Sequence, residues 1–201
     1  FLLLLVAVGS ASIAAAADMA PDVLIKNTAN EVLTIIKQDK DIQAGNQAKV
    51  HSLIDAKVLP HFDFNRMTRL AVGKSWNNAN ATQKDALVKE FRNLLVRTYA
   101  SSLASYRDQV IEYKPLRYDG TQSEVTVNTQ IKQPGAQPIP IDYAMAKTDG
   151  AWKVYDIVVD GVSLVTNYRS SFAAEIKKSG IDGLIQTLSA KNQQESGASK
   201  K

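Results

Sequence analysis

The stretch from Trp152 to Phe172 constrains the fold most, because it joins an apolar strand pattern directly to a helical pattern. Apolar side chains occupy both alternating faces between Trp152 and Val159, which is typical of a central strand covered on both sides. Asp160 and Gly161 interrupt this run, and the following apolar residues recur at spacings of three and four. The stretch predicts a central strand that turns sharply into a helix packed back on its own sheet.

Helical spacing of apolar residues fills most of the chain before residue 108. Pro21 opens the first helix at a first-turn position, and a second helix follows. Asp63 caps a short third helix that ends at Gly73. Thr82 and Asp85 resemble a capping box at the start of a long helix, which we expect to cross the face of a sheet and to end near residue 108.

Beyond residue 108 the apolar period changes to two, which predicts strands. Alternating residues run over 111–113, 124–131, 141–146 and 152–159, and Asp149-Gly150 is a hairpin signal. Consecutive strands joined by short turns are antiparallel, and further helical segments follow them. This order predicts an α+β fold, with helices packed on a curved antiparallel sheet of about four or five strands.

The first 17 residues predict a secretory signal peptide that lacks its charged start, since an apolar run leads to an A-x-A cleavage site ending at Ala17. We expect residues 18–190 to form a single domain and the polar residues 191–201 to be a disordered tail. The net charge is +4 with both signs interspersed, and no nucleic-acid motif is present, so we expect no nucleic-acid partner. The lack of cysteine fits an exported protein that is stable without disulfides.

Few residues have the pattern of a catalytic or metal site. The G-x-S sequence ending at Ser163 lacks the second glycine of a hydrolase nucleophile elbow, and we expect Ser163 to cap the following helix. His61 and Asp63 would supply two metal ligands where a site needs three or four. Asp156 and Asp160 form a possible acid–base pair, but contacts with backbone donors are the favoured role for Asp156. We therefore predict no catalytic residue and no metal ligand.

The sheet and the long helix both present an excess of apolar inward faces without a reactive centre. An ordinary packed core would explain this composition. A concave sheet that faces a helix can equally hold an apolar ligand. The residues alone leave both interpretations open.

Three sequence blocks together resemble the MlaC family, the toluene-tolerance auxiliary proteins of an ABC transport system. The first is G-x-x-W followed by F-x-x-L-L and Y, here Gly73–Trp76, Phe91–Leu95 and Tyr99. The second is W-K-V-Y-D, G-V-S-L and N-Y-R-x-x-F, here Trp152–Asp156, Gly161–Leu164 and Asn167–Phe172. The third is G-x-x-x-L-I-x-x-L, here Gly180–Leu188. The resemblance covers nearly the whole chain after the predicted signal peptide.

The resemblance implies an NTF2-like fold with an apolar cavity between sheet and helices. It also implies a periplasmic, monomeric phospholipid carrier that performs no bond chemistry and needs no cofactor besides its lipid cargo. Such a carrier shuttles phospholipid between an outer-membrane lipoprotein–porin complex and an inner-membrane ABC transporter with a lipid-binding MCE-domain subunit. This traffic maintains the lipid asymmetry of the outer membrane. An NTF2-like enzyme with a cavity acid or base, and a periplasmic interaction protein with a solid core, are the alternatives.

We expect the acyl-chain pocket to be lined by the inward apolar positions of the sheet and long helix and by the break between the second and third helices. On a strict period of two, Tyr155 shares the cavity face of its strand with Ile157 and Val159. The predicted ligand-binding residues are Leu59, Phe62, Phe64, Leu95, Tyr99, Leu103, Tyr106, Val125, Val127, Ile141, Tyr143, Met145, Tyr155, Ile157 and Val159.

Overall fold

The computed structural model describes residues 19–106 and 108–198 of the chain. The predicted signal peptide of residues 1–17 lies outside these ranges, as do residues 199–201 of the predicted tail. The helices are α1 (Pro21–Gln38), α2 (Lys40–Gln43), α3 (Gln47–Leu53), α4 (Phe64–Val72), α5 (Ala81–Ala104) and α6 (Thr166–Ala198). The strands are β1 (Val110–Tyr113), β2 (Glu124–Lys132), β3 (Ile139–Thr148), β4 (Ala151–Val159) and β5 (Val162–Ser163). A π turn at Ile54–Val58 and 3₁₀ turns at Leu59–His61 and Gly73–Asn78 complete the connections between α3, α4 and α5.

The strands form an antiparallel sheet in sequence order, which confirms the predicted α+β fold and meander. Asp149 and Gly150, with positive φ angles of 51° and 81°, make the predicted hairpin turn between β3 and β4. Asp160 and Gly161, at 49° and 79°, make a second two-residue turn into β5, where the sequence predicted only a break before a helix. As predicted for a central strand, β4 has a neighbour on each side, β3 and β5, although β5 is only two residues long and pairs with β4 at Val158 and Val159.

A β-bulge in β4 changes which of its side chains share a face. Ala144 pairs with Asp156, whereas the next residue of β3, Met145, pairs with Val154, so Tyr155 is an extra residue without a partner in β3. The bulge offsets the period of two, which brings apolar residues from both halves of β4 to the face that packs on α1, called here the inner face. These residues are Trp152, Val154, Ile157 and Val159. Most apolar residues of β4 therefore share one face, where the sequence predicted two apolar faces.

The helix ends follow local capping chemistry. Asp63 accepts a hydrogen bond from a backbone N–H in the first turn of α4, and Gly73 ends that helix with a φ of 66°, as predicted. Helix α5 begins with a capping box, in which the Gln83 N–H donates to the side-chain oxygen of Asn80 and the Asn80 N–H donates to the side-chain oxygen of Gln83. The predicted box at Thr82 is wrong, because the helix begins before that residue.

Helix α6 consists of two helical segments that meet at Gly180, where the φ of 75° and ψ of −176° are not helical. This break is at the predicted stop signal. The second segment continues to Ala198, so the predicted disordered tail is wrong over residues 191–198. Asn192 is buried there, and its amide donates to the carbonyl and the carboxylate of Glu90 at 3.0 and 2.7 Å. This contact anchors the end of α6 on α5.

Three clusters of buried apolar side chains hold these elements together. The first packs α4, α5 and α6 against one another. The second joins the C-terminal half of α1 to α2, α3 and α5, and the third packs the N-terminal half of α1 on the inner face of β2, β3 and β4. Within the described ranges, none of the helices combines the length and the apolar character needed to span a bilayer.

Candidate functional site

A cavity of about 380 Å³ lies between the inner face of the sheet and the helices. Its helical walls are α1, α5 and the segment from Ile54 to Met67. The lining residues are Ile25, Thr28, Ala29, Val32 and Leu33 of α1; Leu95, Val96, Tyr99, Ala100, Ser102 and Leu103 of α5 with Tyr106 after it; Ile54, Val58, Leu59, His61, Phe62, Phe64 and Met67 of the connecting segment; and Ile111, Ile131, Ile141, Tyr143, Val154, Ile157, Val159 and Leu164 from the sheet and its end. This volume is within the range of about 300–1,000 Å³ typical of ligand pockets.

Along the sheet, the strands that contribute to the cavity wall change from one cross-strand row to the next; the end at β1 is called here the wide end and the end at Val154 the narrow end. From the wide end, the lining pairs in register are Ile111 with Ile131, Ile141 with Val159, and Tyr143 with Ile157. In the next row Val154 of β4 lines the cavity, whereas its partner Met145 does not. The sheet side of the wall thus has two lining residues in each of the first three rows, from β1 and β2 and then from β3 and β4, and one lining residue at the narrow end.

The segment between α3 and α4 forms a wall that is attached to the edge of β4. Phe62 makes an isolated parallel bridge with Val154, and the N–H of Asp63 donates to the carbonyl of Val154 at 2.9 Å. The rings of Phe62 and Phe64 stack with centroids 5.7 Å apart. The π turn at Ile54–Val58 widens the helical path before this attachment, and such turns occur frequently at functional sites.

The lining is apolar and uncharged at neutral pH. Among the described residues, it contains no aspartate, glutamate, lysine or arginine. Burial lowers the pKa of His61 below its ordinary value of 6.5, and the charge of Lys153 lowers it further, so the imidazole is neutral at pH 7. Burial also raises the pKa of Tyr99 and Tyr143, which keeps both phenols protonated. Such a wall suits hydrocarbon and penalises a charged ligand.

Several apolar residues of the sheet wall are only half-buried although they point inward. Ile131, Ile141, Ile157 and Val159 all have this intermediate exposure. An inward aliphatic side chain in a close-packed core would be almost fully buried. Their exposure therefore belongs to an open cavity, and an ordinary packed core does not explain the whole inward face.

The structure brings most of the predicted ligand-binding residues together around this cavity. Those in the lining are Leu59, Phe62, Phe64, Leu95, Tyr99, Leu103, Tyr106, Ile141, Tyr143, Ile157 and Val159. Val125, Val127, Met145 and Tyr155 are not among the lining residues.

Two physical reasons account for these four. Val127 and Met145 lie on the predicted face, but they are 1% and 0% exposed and fill the core beyond the narrow end; Val125 packs against the same cluster. The period of two identifies a face of a strand and says nothing about the position of a cavity along it. Tyr155 is the bulged residue. The Arg66 guanidinium lies 3.6 Å from its ring centroid, away from the lining.

Helix α1 supplies the largest contribution that the predicted site omitted. Ile25, Ala29 and Val32 line the cavity and belong to the apolar stripe that predicts the helix itself. The signal was therefore present in the spacing, but a stripe does not distinguish contact with a core from contact with a cavity. Ile111 and Ile131, at the wide end, have the same ambiguity.

The residues considered for chemistry are engaged in structural contacts. Asp156 accepts hydrogen bonds from the Ser163 hydroxyl at 2.5 Å and from the Val165 N–H at 3.2 Å, and Ser163 accepts from the Thr166 N–H at 3.0 Å. These contacts confirm the predicted roles of Asp156 and Ser163 at the start of α6. Neither residue lines the cavity. The described residues contain no group of three or more histidine, cysteine, aspartate or glutamate side chains suited to a metal ion.

A polar groove of about 640 Å³ adjoins the wide end of the cavity. Tyr106 lines both spaces, and the groove is also bordered by Lys37, Asp108 and Val110. The ammonium of Lys37 lies 5.8 Å from the centroid of the Tyr106 ring. The apolar cavity therefore meets charged side chains at this end.

A sequence profile described as MlaC protein matches residues 26–190, which is most of the chain. The chain belongs to the MlaC family. This result confirms the resemblance drawn from the three sequence blocks, all of which lie within the matched range.

Individual relatives of this MlaC-family chain agree with the assignment. It is 27% identical, over 87% of its length and 83% of the relative's, to the intermembrane phospholipid transport system binding protein MlaC of Haemophilus influenzae. It is 22% identical to toluene tolerance protein ttg2D of Pseudomonas putida, over 89% of this chain and 83% of that one. A phospholipid-binding protein of Ralstonia solanacearum, solved in complex with a phospholipid, has a similar structure. Its TM-score is 0.81 at 37% identity, covering 88% of this chain and 98% of the other.

Proposed function

We propose that this MlaC-family chain is a periplasmic phospholipid carrier whose cavity holds the acyl chains of its cargo. The observation that carries the proposal is the uncharged apolar cavity between the sheet, α1 and α5. The structurally similar protein from Ralstonia solanacearum, solved with a phospholipid, supports the ligand class. The headgroup stays at the wide end of the cavity, where charged side chains and solvent are accessible.

The proposed mechanism is reversible binding. Burial of each methylene is worth about 0.8 kcal/mol relative to water, so acyl chains supply most of the affinity. A bilayer shelters the same chains from water equally well, and transfer between bilayer and cavity is therefore nearly balanced. A partner at each membrane shifts this balance by binding a form of the carrier that is either loaded or empty.

The proposed partners are an outer-membrane lipoprotein–porin complex and an inner-membrane ABC transporter with an MCE-domain subunit. The carrier moves phospholipid between them as a monomer, and this traffic maintains outer-membrane lipid asymmetry. The names of the relatives from Haemophilus influenzae and Pseudomonas putida, which refer to intermembrane phospholipid transport and to toluene tolerance, support a role in such a system.

Extraction of lipid from the purified protein tests the binding step. The protein is first freed of lipid, then incubated with phospholipid vesicles, separated from them, and extracted with organic solvent for mass spectrometry. We expect about one bound phospholipid per protein molecule, the number that a single ligand pocket holds. A folded protein that carries no lipid after purification and takes none from vesicles would refute the proposal.

An enzyme with an acid or base in the cavity is the alternative from another functional class. Of the candidates considered, His61 lines the cavity, while Asp156 and Asp160 do not. A neutral imidazole in an apolar wall fits a lipid site without further groups. Hydrolysis products in the extract, lost on replacing His61 with glutamine, would favour the enzyme instead.

A further inference from the structure

We propose that Met145, with Val127 and Trp152 beside it, forms the floor of the cavity and sets the length of acyl chain that the protein accepts. The inference rests on the proposed function and adds a specificity-determining role for residues that do not line the cavity. It follows from where the cavity ends and from what fills the next positions on the same face of the sheet.

The floor is defined by the cross-strand register. Tyr143 and Val154 line the narrow end, and their partners on neighbouring strands are Val127 and Met145. Both partners point to the inner face but are 1% and 0% exposed. Trp152, which is 3% exposed, occupies the next inner-face position of β4 after Val154. The cavity therefore ends because these side chains fill the remaining width of the sheet.

The floor is packed from the helical side as well. Ile25 lines the cavity and belongs to the same buried cluster as Val127, Met145 and Trp152. The Trp152 ring is fixed by an edge-to-face contact with Tyr118, with ring centroids 5.6 Å apart. A chain that reaches Val154 cannot extend further without displacing close-packed side chains, and overpacking of this kind is destabilising.

Chain-length discrimination follows from this geometry. A bilayer buries every methylene of a long acyl chain, whereas the cavity buries only those that fit above the floor. Each methylene left outside weakens binding about fourfold relative to the bilayer, the ratio that corresponds to about 0.8 kcal/mol. Met145→Ala removes three heavy atoms from the floor and makes room for about two methylenes, so we expect the preference for longer chains to rise about fifteenfold.

The experiment is a competition between phospholipids that differ in acyl length. Lipid-free protein is incubated with vesicles containing equal amounts of phosphatidylglycerols with chains of about 14, 16 and 18 carbons. The bound lipid is then quantified by mass spectrometry. Met145→Ala is compared with the unsubstituted protein and with Leu87→Ala. Leu87 is 0% exposed in the helical cluster and does not line the cavity, so it matches the truncation without changing the floor.

The expected result is a shift toward longer chains in Met145→Ala and an unchanged distribution in Leu87→Ala. If Met145→Ala does not fold, Met145→Val, which retains a strand-forming side chain, is measured in its place. An unchanged distribution in a folded floor variant, with lipid bound, overturns the floor and leaves the carrier function standing. An unsubstituted protein that binds no phospholipid of any length overturns the carrier function and this inference with it.

Discussion

Replacement of Ile157 by aspartate places a carboxylate in the wall of the cavity, and we expect the variant to fold but to bind no phospholipid. Ile157 is half-buried, lies in register with Tyr143, and lines the cavity between the wide and narrow ends. In the empty protein, water in the open cavity can hydrate the introduced charge. An acyl chain that enters displaces this water and leaves the carboxylate in hydrocarbon.

The magnitude follows from the cost of desolvating one ion without a partner. The described lining contains no lysine or arginine that could pair with the introduced carboxylate. Its burial costs several kcal/mol, and about 4 kcal/mol corresponds to a Kd increase of about a thousandfold. Phospholipid retained per chain, measured by mass spectrometry of an organic extract, should therefore fall below detection, while circular dichroism reports an intact fold.

Two further variants separate charge from other effects. Ile157→Asn introduces a side chain of nearly the same shape as aspartate but without the charge. It should retain an intermediate amount of lipid, because an uncharged amide costs less to desolvate than a carboxylate. Val162→Asp introduces the same carboxylate at an exposed position of β5 that does not line the cavity, and it should bind lipid normally. Full lipid retention by a folded Ile157→Asp variant would refute the position of the cavity and the reasoning from its uncharged wall.

Two other perturbations test the site and its support. The pKa of His61 is lowered in the folded protein, so the unfolded chain binds more protons than the folded protein as pH falls below 6.5. The free energy of unfolding should therefore decline in this pH range, and it should decline less in His61→Gln. Urea denaturation at several pH values measures both. Asp156→Ala leaves the buried Val165 N–H without its acceptor and should lower the free energy of unfolding by about 1–3 kcal/mol. Ser163→Ala should cost about 1 kcal/mol alone and less in the Asp156→Ala background, because the two side chains act together at the start of α6.

The controls for these two perturbations are within the same chain. His51→Gln replaces the chain's other histidine, on α3 and outside the cavity lining, and is the matched control for the substitution. Equal acid sensitivity of the unsubstituted protein and His61→Gln would contradict the assigned role of His61. Additive costs of Asp156→Ala and Ser163→Ala would contradict their coupling.

The sequence predicted the elements well because their signals are local. Turn residues such as Asp149-Gly150, the cap at Asp63 and the stop at Gly180 each act within a few residues, and the structure contains all three. The bulge at Tyr155 is different, because it arises from pairing with β3 and leaves no mark in a period of two. That one inserted residue explains why Tyr155 was assigned to the cavity and why β4 resembles a strand with two apolar faces.

The cavity lining was predicted less completely because lining is a property of empty space between elements. Ile157 and Met145 have the same pattern in the sequence, yet one lines the cavity and the other fills the core below it. Which of them borders the cavity depends on how α1 and the Ile54–Met67 segment lie over the sheet. No strand or helix period contains that information.

The two ends of the cavity also differ mechanically. The wide end is bordered by β1, an edge strand paired with β2 over four residues, whereas the narrow end rests on the long ladder between β3 and β4. Free energies of local opening are lowest where few contacts and hydrogen bonds must break. The wide end can therefore open locally when one short strand frays, while the floor remains rigid. Cargo exchange then requires less free energy than unfolding the protein.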